Sequence, residues 1–300
     1  MDPSKLPTLI DGIFSKSLQV RRMLLRGERE ALPTPLAEVV VLARELEQFV
    51  TSDQLAAVSE GLAAQRWHKP TVELSVSEGY AAWAKGYDAE VNPLVVLEEP
   101  AVLDLIGDVA GKDVLDAACG TGRYAVALAQ AGARVVGIDQ SEEMLAAAAA
   151  KRDQLGLSID LRRGSLTSLP FPDSSFDLAL CALVLCHLPE LAPAAKEVAR
   201  VLRSGGRLIV SDFHPFCVLI GWPTLFRRPE ATYCIENFLH LTQDYCAALQ
   251  AAGLEIAELR EAVVDEALLP VFSETGVERF RGWPVLLIIS AVKGDPTSEG

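Results

Sequence analysis

The segment VLDAACGTGRYAVALA, residues 114–129, joins a short apolar run to a glycine turn and then to a helical pattern. This order is typical of the first strand–turn–helix unit in nucleotide-binding α/β proteins. Gly120, Gly122 and Ala125 also fit the G-x-G-x-x-G/A spacing of dinucleotide-binding turns, although that spacing alone is weak evidence. The acidic residue Asp116, which ends the apolar run, therefore decides which ligand suits the turn.

Asp116 favours a cationic ligand. The pyrophosphate of a dinucleotide would be repelled by a carboxylate at the end of the strand. S-adenosylmethionine carries a sulfonium and an α-ammonium group and has no phosphate, so the same carboxylate attracts it. A purely structural role for Asp116 is the alternative interpretation.

A second acidic residue supports the same ligand. Asp139 ends the next predicted strand, ARVVGID (133–139), and lies about twenty residues after the turn, where a carboxylate commonly accepts hydrogen bonds from both ribose hydroxyls. Asp139 could instead cap the following helix. Together with Asp116 and the glycines, it predicts an adenosine-containing ligand.

Strands and helices are predicted to alternate from about residue 110 onward. Repeated βα units favour a mostly parallel sheet with helices on both faces. The predicted strands are residues 112–118, 133–139, 157–164, 176–185, 206–213, 254–264 and 285–292. One predicted helix follows the glycine turn and ends at residue 131, and the others span residues 142–151, 192–203 and 241–252.

Residues 1–75 differ from the rest of the chain because they show helical apolar spacing and no strand alternation. We expect a helical N-terminal region there, which could form a homodimer, cover a substrate pocket or bind a partner. At the other end, residues 294–300 are expected to form a flexible tail.

Composition excludes several functional classes. The net charge of −14 over 300 residues disfavours nucleic acid and anionic membranes as partners. No secretory signal and no apolar run long enough to span a bilayer are visible in the sequence. The six cysteines lack the spacing of metal or disulfide frameworks. We therefore predict a cytoplasmic protein with buried thiols and no bound metal.

Taken together, these motifs resemble those of the class I S-adenosylmethionine-dependent methyltransferases, and most of all the small-molecule branch with ubiquinone- and menaquinone-type enzymes. The resemblance covers about residues 79–293. Its segments are VLDAACGTGRYAVALA, VVGIDQSEEML, RRGSLTSLPFPDSSFDLALCALVLCHLPE and EVARVLRSGGRLIVSDFHP. It implies that methyl groups pass from S-adenosylmethionine to a small molecule.

The resemblance also implies an architecture. The fold would be α/β, with a Rossmann-like, seven-stranded, mostly parallel sheet and an antiparallel last strand. This methyltransferase domain would span residues 76–293, and an insertion at about 214–239 would form a cap over the substrate. Aromatic residues in that insertion suggest an apolar or planar acceptor. They are Trp222, Phe226, Tyr233 and Phe238.

The same family resemblance assigns parts of the cofactor to residues. Asp116 and the backbone of Gly120 and Gly122 would hold the methionine part, and Asp139 would hold the ribose. The residues that would flank the adenine ring are Gln140 and Met144.

One position departs from the family pattern. The family commonly has an acid after the third strand that accepts from the adenine amino group, whereas this chain has Ser165 followed by Leu166. Serine can still accept a hydrogen bond, but without charge, and the Leu166 amide could also serve the adenine. The remaining predicted cofactor contacts are Tyr80, Tyr87, Ala118 and Cys181.

Aromatic residues before the first strand could cover the cofactor. Tyr80, Trp83 and Tyr87 are spaced three and four apart, so we expect them on one face of a helix. An aromatic ring near a sulfonium gives a favourable cation–π contact. The alternative is ordinary core packing, which we favour for Trp83.

Two histidines are predicted to act on the acceptor. His214 follows the fifth strand and is the first candidate for a general base or a substrate-orienting group. His187 follows the fourth strand and is the second candidate, with a structural role as its alternative. His240 and a thiolate of Cys186 are weaker candidates.

Two other functions remain open from the sequence alone. The glycine spacing and Asp139 would also suit an NAD(P)-dependent oxidoreductase. A non-catalytic S-adenosylmethionine-binding protein would keep the same cofactor motifs.

Overall fold

The computed structural model describes residues 71–294. The chain divides into two compact units, Met1–Thr71 and Val72–Gly300. The predicted N-terminal helices and the tail beyond residue 294 lie outside the described residues, and only the second unit is considered below.

The described chain contains ten strands and eight α-helices. In chain order the strands are β1 Thr71–Leu74, β2 Asp113–Ala117, β3 Arg134–Asp139, β4 Ile159–Arg163, β5 Phe176–Ala182, β6 Leu202–Phe213, β7 Thr224–Arg227, β8 Thr232–Ile235, β9 Leu254–Val263 and β10 Pro284–Lys293. The helices are α1 Val76–Trp83, α2 Pro93–Ile106, α3 Arg123–Gln130, α4 Glu142–Leu155, α5 Ala192–Val201, α6 Pro215–Leu219, α7 Thr242–Ala251 and α8 Glu274–Phe280.

Seven of these strands form one sheet in the order β4-β3-β2-β5-β6-β10-β9. The first five are parallel neighbours, and β10 runs antiparallel to both β6 and β9. Asp116 pairs with Gly137 of β3 and Leu180 of β5, so the carboxyl ends of the central strands meet at one edge. The predicted fold class is confirmed.

Alternating residues of β2 supply the two apolar layers of the core. Leu115 and Ala117 pack in the layer that includes Val198 of α5. Val114 packs in the opposite layer, which includes Val102 of α2 and Leu128 of α3. Burying each large aliphatic side chain contributes roughly 1.5–3 kcal/mol, so the two layers hold the strand ends in a fixed register.

The fourth predicted strand ends earlier than expected. We predicted strand through residue 185, but β5 stops at Ala182. Leu183 has a φ of 54° and donates its N–H to the Ser211 carbonyl at 2.7 Å. A left-handed residue turns the chain away from the sheet, and the 3-10 turn Leu185–His187 follows.

The insertion after β6 builds a small second sheet. Strands β7 and β8 pair antiparallel, and β1 joins them in the order β1-β8-β7. The prediction of a purely helical region through residue 75 is therefore wrong at its end, since residues 71–74 form β1. This strand depends on a partner far away in the chain, which no local pattern reveals.

Ala118, directly after β2, has a φ of 66°. A left-handed conformation costs an L-residue about 1–2 kcal/mol, whereas glycine adopts it freely. We therefore expect Ala118→Gly to raise the free energy of unfolding by about 1 kcal/mol in urea denaturation. The control Ala117→Gly, in buried strand, should lower it. Equal destabilisation by both variants would contradict the assigned strain.

Candidate active site

The glycine turn lies at the carboxyl end of β2. The Cys119 N–H donates to the Ile138 carbonyl of β3 at 2.9 Å, and the Gly122 N–H donates to the Cys119 carbonyl at 2.8 Å. Gly120 has a φ of 54°, and a Cβ placed there would meet no described atom within 4 Å. The turn therefore leaves open space for a ligand against its backbone.

Asp139 joins the turn to the neighbouring strand. Its Oδ2 accepts the Gly120 N–H at 2.9 Å and its Oδ1 accepts the Ser141 N–H at 2.9 Å. Burial raises the pKa of Asp139, while these backbone N–H groups oppose the shift. Each carboxylate oxygen has a second lone pair, so Asp139 can still accept from a pair of ligand hydroxyls.

Asp116 is a buried acid with unused bonding capacity. It is 2% exposed, and no donor within the described residues reaches its Oδ2. Burial raises its pKa to about 7. The Arg123 guanidinium and a hydrogen bond from the Ala125 backbone N–H oppose the shift, and the charges of Asp139 and Glu98 add to it. A buried carboxyl group with one oxygen still free of donors favours a positively charged or hydrogen-donating ligand.

An acid that the sequence analysis missed lies below the turn. Glu98 of α2 is fully buried, accepts from the Ser211 hydroxyl at 2.6 Å and pairs with Nη2 of Arg123 at 2.8 Å. This pairing ties α2 to β6 and to the first turn of α3. It also fixes the Arg123 guanidinium beside Asp116. Nothing local in the sequence marks Glu98, because its partners lie far along the chain.

A second missed contact fastens the segment between α1 and α2. The buried Thr121 hydroxyl donates to Oδ1 of Asp88 at 2.7 Å, and Nζ of Lys151 pairs with Oδ2 at 2.8 Å. Asp88 therefore holds its neighbour Tyr87 close to the glycine turn.

The residues predicted to hold adenine occupy different environments. Gln140 is exposed and Met144 is buried at the start of α4. The Ser165 hydroxyl lies 2.8 Å from that of Thr167, and Leu166 is buried. Cys181 differs from these, because it lines an apolar cavity beneath α5 and α7.

The predicted aromatic residues come together, although not on one helix. Helix α1 ends at Trp83, so the prediction that Tyr87 shares its face is wrong. Ring centroids are 6.1 Å apart for Tyr80–Trp83, 4.8 Å for Trp83–Tyr87 and 5.1 Å for Trp83–Phe226. We call these four residues the aromatic wall. Among the described residues, no acceptor reaches the buried Nε1 of Trp83.

The aromatic residues of the insertion divide between two places. Phe226 joins the aromatic wall, and Tyr233 stacks on it at 5.0 Å. Trp222 packs elsewhere, against Phe280 and Trp283. Phe226 and Tyr233 of the expected cap therefore lie next to α1, whereas Trp222 does not.

His187 is held from both sides. Its Nδ1 lies 2.7 Å from the Glu236 carbonyl and its Nε2 lies 2.8 Å from the Tyr80 hydroxyl. Because a carbonyl only accepts, Nδ1 carries the proton, and Nε2 accepts from Tyr80. Burial lowers the pKa of His187, which keeps the ring neutral.

The other candidates have separate partners. His214 caps α6 by accepting the Phe216 N–H at 3.1 Å, and its Nε2 lies 3.0 Å from Glu261. Nε2 of His240 donates to the Leu188 carbonyl at 2.7 Å. Burial raises the pKa of the Cys186 thiol well above its ordinary value, so this group stays protonated.

Residues 71–294 contain no cluster of three or more histidine, cysteine or acidic side chains suited to a metal ion. In the same part of the chain, no helix combines the length and apolar character needed to cross a bilayer.

Comparisons with known proteins agree with this geometry. A family model described as a methyltransferase domain matches residues 115–210. The ubiquinone biosynthesis O-methyltransferase of Hahella chejuensis is 32% identical over 183 residues, which cover 58% of this chain and 76% of that protein. The demethylmenaquinone methyltransferase of Renibacterium salmoninarum is 40% identical over 115 residues, 38% of this chain and 47% of that protein. This chain thus spans about half the length of the latter.

A solved structure shows the same similarity. The S-adenosylmethionine-dependent methyltransferase of Mesorhizobium loti superposes with a TM-score of 0.54 at 26% identity, covering 65% of this chain and 97% of that one. The predicted family, cofactor and reaction class are confirmed. The chain belongs to the class I S-adenosylmethionine-dependent methyltransferases of the ubiquinone and menaquinone type, which transfer a methyl group to a small-molecule acceptor.

Proposed function

We propose that this methyltransferase methylates a hydroxyl oxygen of a planar aromatic acceptor of the phenol or quinol type. The observation that carries the proposal is the aromatic wall beside the glycine turn, whose buried indole N–H has no acceptor within residues 71–294. A planar ring stacks favourably on such side chains, and an oxygen substituent would accept from Nε1 of Trp83.

The described residues fit S-adenosylmethionine. The unpartnered Oδ2 of Asp116 suits the α-ammonium and sulfonium end, and the open space at Gly120 suits close backbone approach. Asp139 suits the ribose hydroxyls. When bound, the cofactor supplies a methyl group already activated by positive sulfur, so the protein mainly positions the acceptor and excludes water.

The adenine contacts follow the family assignment. We propose that Gln140 and Met144 flank the adenine ring and that Ser165 and Leu166 form hydrogen bonds with its edge. The remaining proposed cofactor contacts are Ala118, Gly122, Tyr80 and Tyr87. Cys181 is the weakest member of this set, because it lies in an apolar cavity.

The choice of an aromatic hydroxyl draws on the relatives. The Hahella protein, of which this chain covers 76%, is named an O-methyltransferase of ubiquinone biosynthesis. Of the two proposed histidines, His187 is better supported than His214, because it bonds directly to a residue of the aromatic wall. A homodimer formed through the N-terminal region stays a prediction.

The first prediction concerns the charge of Asp116. Its carboxyl group has a raised pKa of about 7 in the free protein, so a cationic ligand competes with a proton below that pH. We expect the affinity for S-adenosylmethionine to fall about tenfold from pH 8 to pH 6 in calorimetry. Asp116→Asn should bind about 10- to 100-fold more weakly at pH 8 and lose most of this dependence.

Asp113, at the opposite end of β2, supplies the matched control. Asp113→Asn should keep both the affinity and its pH dependence. An Asp116→Asn protein with the wild-type affinity and pH dependence would contradict the proposed contact.

The second prediction distinguishes the roles of Asp116 and Asp139 by comparing two ligands. Adenosine has the ribose but lacks the sulfonium and the ammonium. Asp139→Asn should therefore weaken adenosine and S-adenosylmethionine alike, whereas Asp116→Asn should weaken only the latter. Calorimetry with both ligands measures this, and an equal loss of adenosine in the two variants would argue against the assignment. Tight binding of NAD would favour the oxidoreductase alternative.

The third prediction tests the acceptor. Catechol and hydroquinone, supplied with S-adenosylmethionine carrying an isotopically labelled methyl group, should yield O-methyl products by mass spectrometry. Cyclohexane-1,2-diol, which has two hydroxyls but no planar ring, should yield none. Labelling of the diol, or of none of the three compounds, would overturn the proposed acceptor class.

A further inference from the structure

We propose that Tyr80 and His187 form a proton relay, in which Tyr80 contacts the acceptor hydroxyl and His187 receives the proton through it. This inference rests on the proposed function, since only an acceptor that loses a proton needs such a relay. Neither the family match nor the names of the relatives assign these two residues a proton-transfer role.

The geometry sets the direction of the relay. Nδ1 of His187 is committed to the Glu236 carbonyl at 2.7 Å, which leaves Nε2 as an acceptor for the Tyr80 hydroxyl at 2.8 Å. A hydroxyl that donates one proton keeps two lone pairs. The Tyr80 oxygen can therefore accept a proton from a bound acceptor while its own proton moves to Nε2.

Tyr80 also has the right position in the site. It belongs to the aromatic wall, and its ring meets the His187 ring edge-on at 5.2 Å. The carboxylates of Asp139 and Asp212, which lie at the ends of β3 and β6, both act on its hydroxyl. Its hydrogen bond to His187, which follows β5, places the Tyr80 hydroxyl at the carboxyl edge of the sheet.

The surroundings of Tyr80 favour its neutral form, so Tyr80 passes the proton on to His187 and is not the base that keeps it. Burial is the main cause that raises the pKa of Tyr80 well above its ordinary value, and the carboxylates of Asp212 and Asp139 add to the shift. A tyrosinate is therefore costly at this position, so the phenol must give up its proton as it takes one.

His187 is better placed to hold the proton. The groups that face it are the Tyr80 hydroxyl, the Glu236 carbonyl and carboxylate, and the carboxylate of Asp212. Asp212 is fully buried and accepts the Cys186 N–H at 2.7 Å and the Tyr245 hydroxyl at 2.9 Å. Its negative charge would stabilise an imidazolium, which makes Asp212 a positioning residue.

The step balances without any further reactant. The acceptor oxygen forms a bond to the methyl carbon, and the carbon–sulfur bond breaks with its electron pair left on sulfur. The hydroxyl proton of the acceptor goes to Tyr80, and the Tyr80 proton goes to Nε2 of His187. One positive charge thus moves from sulfur to the imidazole, which later releases the proton to solvent.

The experiment compares full-length variants with catechol as acceptor at saturating S-adenosylmethionine. Tyr80→Phe and His187→Asn should each lower kcat by about 100-fold, while the KM for S-adenosylmethionine stays within about twofold. The asparagine amide can still donate to the Glu236 carbonyl, but it has no basic nitrogen to take the proton from Tyr80. Asp113→Asn, at the opposite end of β2, should leave kcat unchanged.

The pH profile separates a proton acceptor from a structural histidine. Wild-type kcat should fall as the pH drops through the pKa of His187, which burial places below its ordinary value of 6.5. Saturating cofactor suppresses the separate effect of Asp116. The acid limb should be absent in His187→Asn.

Nitrogen-15 NMR of the histidines gives a readout that needs no acceptor. The chain has four histidines, and the His187→Asn spectrum identifies the signal of His187. We expect a neutral ring protonated at Nδ1, whose Nε2 signal shifts in Tyr80→Phe. A ring protonated at Nε2, or an Nε2 signal unmoved by Tyr80→Phe, would overturn the relay.

The outcomes keep the two proposals apart. A wild-type protein that binds S-adenosylmethionine but methylates neither catechol nor hydroquinone would refute the proposed acceptor class and, with it, the relay. An active wild type with unchanged kcat in Tyr80→Phe would refute the relay alone.

Discussion

The constraint on which the proposed cofactor site depends is the buried carboxyl group of Asp116, whose Oδ2 meets no donor among the described residues. Asp116 is held at the end of β2 by strand pairing on both sides and by an apolar layer on each face of the sheet. Its burial raises its pKa to about 7, so the free protein carries an acid that gains most from a positive ligand. The adjacent turn offers backbone and open space but no cation of its own at Oδ2. In the proposed site, this arrangement would explain how a glycine pattern similar to that of dinucleotide proteins serves a sulfonium compound.

The proposed acceptor site is assembled from parts of the chain that lie far apart in the sequence. Helix α1, the turn after β5 and the insertion strands each contribute to the aromatic wall or to its hydrogen bonds. Asp88 fastens the segment after α1 to the glycine turn and to α4. The two halves meet near Tyr80, on which the carboxylates of both Asp139 and Asp212 act. In the proposed function, cofactor and acceptor would share one edge of the sheet, as methyl transfer between them requires.

Sequence reasoning placed the residues of the glycine turn and its acids correctly in the fold, because their pattern is local. Asp116, the glycines and Asp139 follow strands whose apolar runs are easy to recognise, and parallel strands place their ends together. Sequence reasoning missed contacts between residues that lie far apart in the chain. The Tyr80–His187 bond joins residues 107 positions apart, and the Glu98–Ser211 bond joins residues 113 apart. Strand β1 and the early end of β5 likewise depend on tertiary contacts and on one left-handed leucine. Residue types alone marked His187 as a candidate, but only the fold shows which ring nitrogen is available.

The ionisation of Asp116 can be followed without any variant by counting protons during cofactor binding. Calorimetric titration of S-adenosylmethionine at pH 7, repeated in buffers with different ionisation enthalpies, gives the number of protons released. An acid with a pKa of about 7 in the free protein that becomes fully ionised beside a cation should release about half a proton at this pH, and less at pH 8. Binding with no proton release at either pH would contradict an unpaired, half-protonated carboxyl group as the determinant of cofactor choice.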